Sequence, residues 1–124
     1  MKQHAVTVFH RPPERLNCAQ AVLDAFQTVT DRQVAAIAGF KTFGGGRAPG
    51  GECGALYAAC QASPESAKTI RAAFARRAGA TRCRDLTSFH CKDCVALAAE
   101  LLQQSLAALP ASAVQLSPQP EPPK

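Results

Sequence analysis

Apolar and polar positions recur at helical intervals along most of this chain and at strand intervals almost nowhere. Residues 3–9 predict a short first helix, stopped by "RPP" at Arg11, Pro12 and Pro13. "NCAQAVLDAFQTV" follows, with Asn17 as N-cap and Gln20 three residues on, the spacing of a capping box. "TDRQVAAIAGF" repeats the device with Thr30 and Gln33 and predicts a further helix ending at Gly39. After a glycine-rich loop, "CGALYAACQA" predicts a central helix from about Cys53. "SPESAKTIRAAFARRAG" places Ser63 as N-cap, Pro64 at the first helical position and Gly79 at the end. A last helix is expected over residues 88–109. The fold class is therefore all-α, a small bundle of about five or six helices. Residues 1–109 read as a single helical cysteine-rich domain, and 110–124, "PASAVQLSPQPEPPK", as a disordered proline-rich tail.

Composition narrows the function classes. At 124 residues with 47% hydrophobic content, mostly alanine and leucine, the core is modest and built from small side chains. The only early apolar run, "AVTVF", is too short for a secretory signal, and no stretch approaches a membrane span. The expected compartment is the reducing cytoplasm, where clustered cysteines point to metal or redox chemistry more than to structural disulfides. The net charge of +5 is uneven, with six basic and no acidic residues between Lys68 and Arg84. With no known nucleic-acid motif accompanying it, this stripe reads as a solvated helix face rather than a nucleic-acid surface.

The six cysteines carry the chemistry. Cys18 directly follows an N-cap, Cys53 opens the central helix, and Cys91 and Cys94 fall in the first turns of the last one. Helical spacing puts Cys18 on a face with Ala21, Val22, Ala25 and Val29, and Cys91 with Cys94, Val95, Ala98 and Leu102, all expected to point to the core. The positive end of each helix favours thiolate, and Arg82 and Arg84 beside Cys83 are expected to tune charge in the same direction. Cys60, deep in a helix, is expected to pack as a small apolar residue. "CRDLTSFHCKDC" spaces Cys83, Cys91 and Cys94 as C-x7-C-x2-C, a partial match to zinc or iron–sulfur ligation. Val95 after Cys94 excludes c-type haem attachment, and the lack of strands argues against a thioredoxin-type motif. His90 reads as a surface residue.

Residues 44–51 contain Gly44, Gly45, Gly46, Gly50 and Gly51, yet lack the G-K-[ST] ending of a phosphate loop. Arg47 is the one residue there suited to an anion. The better reading is a loop whose backbone approaches and supports sulfur ligands ahead of Cys53.

The order "NCAQAVL", "FGGG…GGECGALYAA", "CRDL" and "VALAAELL" resembles the C_GCAxxG_C_C family of redox-active proteins over roughly residues 5–106. The resemblance implies a small helical domain whose motif cysteines are, by position, Cys18, Cys53, Cys83 and Cys91, serving redox chemistry or holding an iron–sulfur centre. A similar domain in split-Soret cytochromes is associated with an iron–sulfur cluster. Two family glycines are replaced, by Glu52 and Ala58, and Glu52 is expected to add negative charge beside the thiol of Cys53. Cys60 and Cys94 are additional, Cys94 being a candidate further ligand.

Three functions follow in order of preference. The first is an electron-transfer module with an iron–sulfur cluster, two-iron in kind, on Cys18, Cys53, Cys83 and Cys91. The second is a metal-free thiol–disulfide protein cycling Cys91 with Cys94 or Cys83 with Cys91. The third is a structural zinc domain whose basic helix meets nucleic acid or a partner. A redox partner protein is implied, a homo-oligomer is allowed for, and no general acid–base pair marks the chain as an enzyme.

Overall fold

The computed structural model describes residues 1–44, 46–86 and 90–108. Five α-helices carry the described residues: α1 (Lys2–Val8), α2 (Cys18–Thr30), α3 (Gly54–Ala62), α4 (Ala67–Ala78) and α5 (Cys91–Ala108). Short 3-10 turns at Ile37–Phe43, Pro49–Gly51, Pro64–Ser66 and Cys83–Asp85 connect them. No strand forms among the described residues, only isolated bridges between Phe9 and Leu16 and between Glu52 and Arg82. The tail over 110–124 and Gly45 lie outside the described residues.

The helices meet through small side chains. Ala19, Ala21 and Ala25 of α2, Ala55, Ala58 and Ala59 of α3, and Ala98 and Ala99 of α5 are all completely buried. α2 packs on α3 and α5, α1 lies across α2 and α5, and α4 closes against α3 and α5. Phe26, Phe74, Leu23, Leu56, Ile70 and Leu102 fill what the alanines leave.

The N-terminus of α2 is fixed by the expected capping box. The Asn17 side chain accepts from the Gln20 amide at 2.8 Å, and Gln20 Oε1 accepts from the Asn17 amide at 3.0 Å. The same side chains reach further. Asn17 Nδ2 donates to the Lys41 carbonyl at 2.8 Å and Gln20 Nε2 to the Ile37 carbonyl at 3.1 Å. One cap thus orients Cys18 and also moors the segment that leads into the glycine loop.

Several expectations need correction. No separate α-helix forms over 30–39: α2 runs on to Thr30, whose hydroxyl bonds back to the Phe26 carbonyl, and Asp31 ends it in a left-handed conformation at φ 57°. Gly39 falls inside the Ile37–Phe43 3-10 turn instead of ending a helix. The side-chain carbonyl of Gln27 takes the amides of Val34 and Ala35 at 2.7 and 2.9 Å, so this stretch folds back as irregular chain. Val29, in the last turn of α2, is 51% exposed instead of on the core face. Ser63 caps no helix through its side chain; it precedes the Pro64–Ser66 turn, and α4 begins only at Ala67. α5 starts at Cys91, with residues 87–89 outside the described set.

Replacing Asn17 with Ala should lower stability by about 2 kcal/mol, roughly one for the cap and one for the lost bond to Lys41. Urea unfolding should show a shifted midpoint with an unchanged slope.

Candidate functional site

The ends of four helical elements bring sulfur to one place. Cys18 is the first residue of α2, Cys53 the N-cap of α3, and Cys91 and Cys94 occupy the first turn of α5. Cys83 opens the 3-10 turn after α4. These five thiols, with Gly54 and Leu86, line a single cavity of about 80 Å³. All four motif cysteines and Cys94 are therefore neighbours, although they span most of the chain.

Local backbone chemistry explains the convergence. The Cys53 amide donates to the Thr81 carbonyl at 2.8 Å, and Glu52 and Arg82 form an antiparallel bridge, which sutures the start of α3 to the segment carrying Cys83. Glu52 is anchored a second time by Arg71, whose Nε and Nη2 reach its carboxylate at 2.6 and 3.1 Å. The expectation that Glu52 loads the site with negative charge is thus corrected, because a guanidinium from α4 pairs it bidentately.

Two glycines hold the sulfurs at short range. A Cβ at Gly54 would run into the Phe43 carbonyl oxygen and would stand 2.8 Å from Cys18 Sγ. Gly46, at φ +82°, would place a Cβ 3.2 Å from Cys83 Cβ. Gly44 lies buried against the Asn17 side chain, while Gly50 and Gly51 make a turn at φ +73° and +75°. Gly54, absent from the glycines singled out in the sequence, is the one the cavity most needs. Its signal was its place directly after Cys53.

The cavity has an inner and an outer tier. Cys53, Cys94 and Cys18 are buried, Cys83 is half-buried, and Cys91 is exposed. The position expected for Cys91 on the core face is thereby corrected, because it stands at the open N-terminal end of α5. The Cys94 thiol beside Cys53, then burial, pushes the Cys53 pKa far up. Cys53 makes no capping hydrogen bond, and the Ala55 and Leu56 amides only partly offset the rise. Desolvation first and Cys53 second raise Cys83. Cys91 rises through desolvation and then through Cys83 and Cys53. The expected thiolates are, at these three positions, neutral thiols in the protein alone. Burial, together with the crowding of sulfurs, outweighs the helix ends.

The remaining candidates lie elsewhere. Arg82 turns to Asp85 at 3.4 Å and Arg84 is exposed, and neither figures among the causes acting on Cys83. Arg47 Nε donates to the Gly44 carbonyl at 3.2 Å. His90 is exposed, its amide donating to Asp93 Oδ2 at 3.2 Å. Cys60 is buried away from the cavity, its thiol directed at the Ala67 carbonyl at 3.7 Å and its pKa pushed up by burial to about 11. Among the described residues no group of three or more His, Cys, Asp or Glu is arranged to hold a metal ion. The five sulfurs share the lining of one space. Comparisons with protein-family models, curated proteins and solved structures gave no match.

Two outcomes are expected. Gly54→Ala should destabilise the fold by about 3 kcal/mol and release Cys18 from its position, whereas Gly39→Ala, with open space at its Cβ, should stay within about 0.5 kcal/mol. Paired denaturation curves check this. In protein stripped of metal, iodoacetamide should label Cys91 first and Cys83 next. Because both pKa values lie above the ordinary 9.0, their thiolate fraction and labelling rate should still be climbing beyond that pH. Site-resolved mass spectrometry across a pH series measures it.

Proposed function

We propose that this chain is a small redox module whose sulfur-lined cavity takes an iron–sulfur cluster for electron transfer. The observation that supports it is the lining itself: five thiols and, among the described residues, no oxygen- or nitrogen-bearing side chain around one space. Such a donor set suits soft, thiolate-ligated centres and no hard cation. Cys18, Cys53, Cys83 and Cys91 would supply the four ligands that a two-iron cluster requires, with Cys94 a fifth thiol at hand. The bare positions at Gly54 and Gly46 keep Cβ atoms away from Cys18 and Cys83, and Leu86 adds an apolar wall. When bound, the cluster would supply one-electron chemistry at a potential set by its surroundings. The protein's part is to hold the sulfurs, give up their protons on loading and limit water. The resemblance to the C_GCAxxG_C_C family points the same way, as does a reducing compartment such as the cytoplasm, where thiols persist. A redox partner protein completes the proposal.

The contact between Cys53 and Cys94, with Cys91 outermost, supports a second reading as a metal-free thiol–disulfide protein. Zinc is less favoured, given the lack of a single-ion group among the described residues. Nucleic acid is disfavoured too. Within the basic run Arg71 is engaged by Glu52, Arg77 by Glu100 at 3.7 Å and Arg82 by Asp85 at 3.4 Å. No described helix is long and apolar enough to cross a membrane.

Protein purified without oxygen, or reconstituted with iron and sulfide, should be brown and contain both elements. Cys18→Ser and Cys53→Ser should lose the colour, while Cys60→Ala should keep it. Colourless wild type that holds zinc, or no metal even after reconstitution, would remove the cluster reading.

A further inference from the structure

Spacing along the sequence makes Cys91 and Cys94 the natural dithiol, but the fold pairs the thiols differently. Cys94 of α5 and Cys53 at the start of α3 line the same cavity where those two helices pack together, and Cys94 is the strongest influence on the Cys53 thiol. Both are almost fully buried, at 4% and 3% exposure. Cys91 is exposed, lines the same cavity and stands one helical turn before Cys94, within reach of it on the same face. Among these three the arrangement has one exposed thiol, one that both tiers can reach, and one at the back.

We propose that the cofactor-free protein reduces low-molecular-weight disulfides, with Cys91 as the attacking thiol, Cys94 as the relay and a Cys53–Cys94 disulfide as the oxidised product. The proposal concerns the same cavity and rests on the thiol–disulfide reading, so it stands whether or not a cluster also binds there. In the first step Cys91 Sγ attacks one sulfur of the solute. The solute's S–S bond breaks, its second half leaves as a thiol carrying the Cys91 proton, and a mixed disulfide remains on Cys91. Cys94 Sγ then attacks the Cys91 sulfur, expelling the other half of the solute as a second thiol. Finally Cys53 Sγ attacks the Cys94 sulfur, and Cys91 is returned as a thiol. In sum, one solute disulfide and two protein thiols become two solute thiols and one buried protein disulfide, with two electrons passing to the solute.

The product has a consequence for the site. Oxidation consumes Cys53 and Cys94 and leaves Cys18, Cys83 and Cys91, one thiol short of a complete four-sulfur ligand set. The oxidised protein should therefore refuse a cluster until it is reduced.

The test uses full-length protein, reduced and stripped of metal, then exposed to oxidised glutathione and quenched by acid at intervals. Peptide mapping without reductant should find glutathione on Cys91 early and a Cys53–Cys94 linkage at the end. Cys91→Ser should slow that linkage by about tenfold yet leave it as the final product. Cys94→Ser should stop the reaction with glutathione still on Cys91, and Cys60→Ala should change nothing. Because the linkage is mapped on wild-type protein, misfolding of a variant does not remove the test. A final Cys91–Cys94 or Cys83–Cys91 linkage, or no protein disulfide at all, would overturn the proposal. A second arm offers iron and sulfide to the oxidised and the reduced protein. Uptake only after reduction supports the proposal, and equal uptake by both forms overturns the predicted block. If neither form takes up iron while the linkage maps as stated, the cluster reading fails and the disulfide chemistry remains.

Discussion

Three segments of chain meet where residue 54 has no side chain. The carbonyl of Phe43, the sulfur of Cys18 and the start of α3 occupy space that a single methyl group would claim. This close approach sets the distance between α2 and α3, and with it the place of Cys53 relative to Cys18. The buried alanines of both helices follow from the same requirement, because larger residues would hold the axes apart. The glycine loop is then a consequence of the approach: chain leaving Phe43 must turn sharply, pass Cys83 at Gly46 and return to α3 within a few residues.

Electrostatics in the cavity follow from packing more than from sequence neighbours. Cys83 lies between two arginines in the chain, yet what acts on it is loss of water and the sulfur of Cys53. Glu52 lies beside Cys53 in the chain, yet its charge is spent on Arg71 from another helix. The bidentate pair secures the bridge between Glu52 and Arg82, and so aligns two cysteines without touching either thiol chemically. Backbone connectivity decides which residues are adjacent in sequence, while side-chain direction decides which of them share a field.

Much of this was legible beforehand, and the failures have physical causes. The Asn17–Gln20 box, the helix stop at Gly79 with φ +89° and the cysteine at the start of the central helix all express local rules that the fold left intact. The similar-looking Thr30–Gln33 pattern failed because Gln27, one turn earlier, captured the amides a new helix would have used. Ser63 failed as a side-chain cap because Pro64 starts a 3-10 turn; its hydroxyl is buried with no hydrogen-bond partner among the described residues. The gathering of sulfurs was readable from their positions at helix starts. The meeting of Cys53 with Cys94 was not, since it depends on how α3 and α5 pack, which no local pattern encodes.

The five cavity thiols are drawn from α2, α3, the turn after α4 and α5, so no contiguous piece of the chain carries the whole site. Any partial opening that lifts one of these elements dismantles the cavity along with part of the core. A ligand that needs all the sulfurs at once therefore binds only the fully docked chain, and its binding energy adds directly to global stability. Occupancy and resistance to proteolysis become two readings of one equilibrium. In a cell, the same molecule that fills the cavity would also decide how long the protein survives.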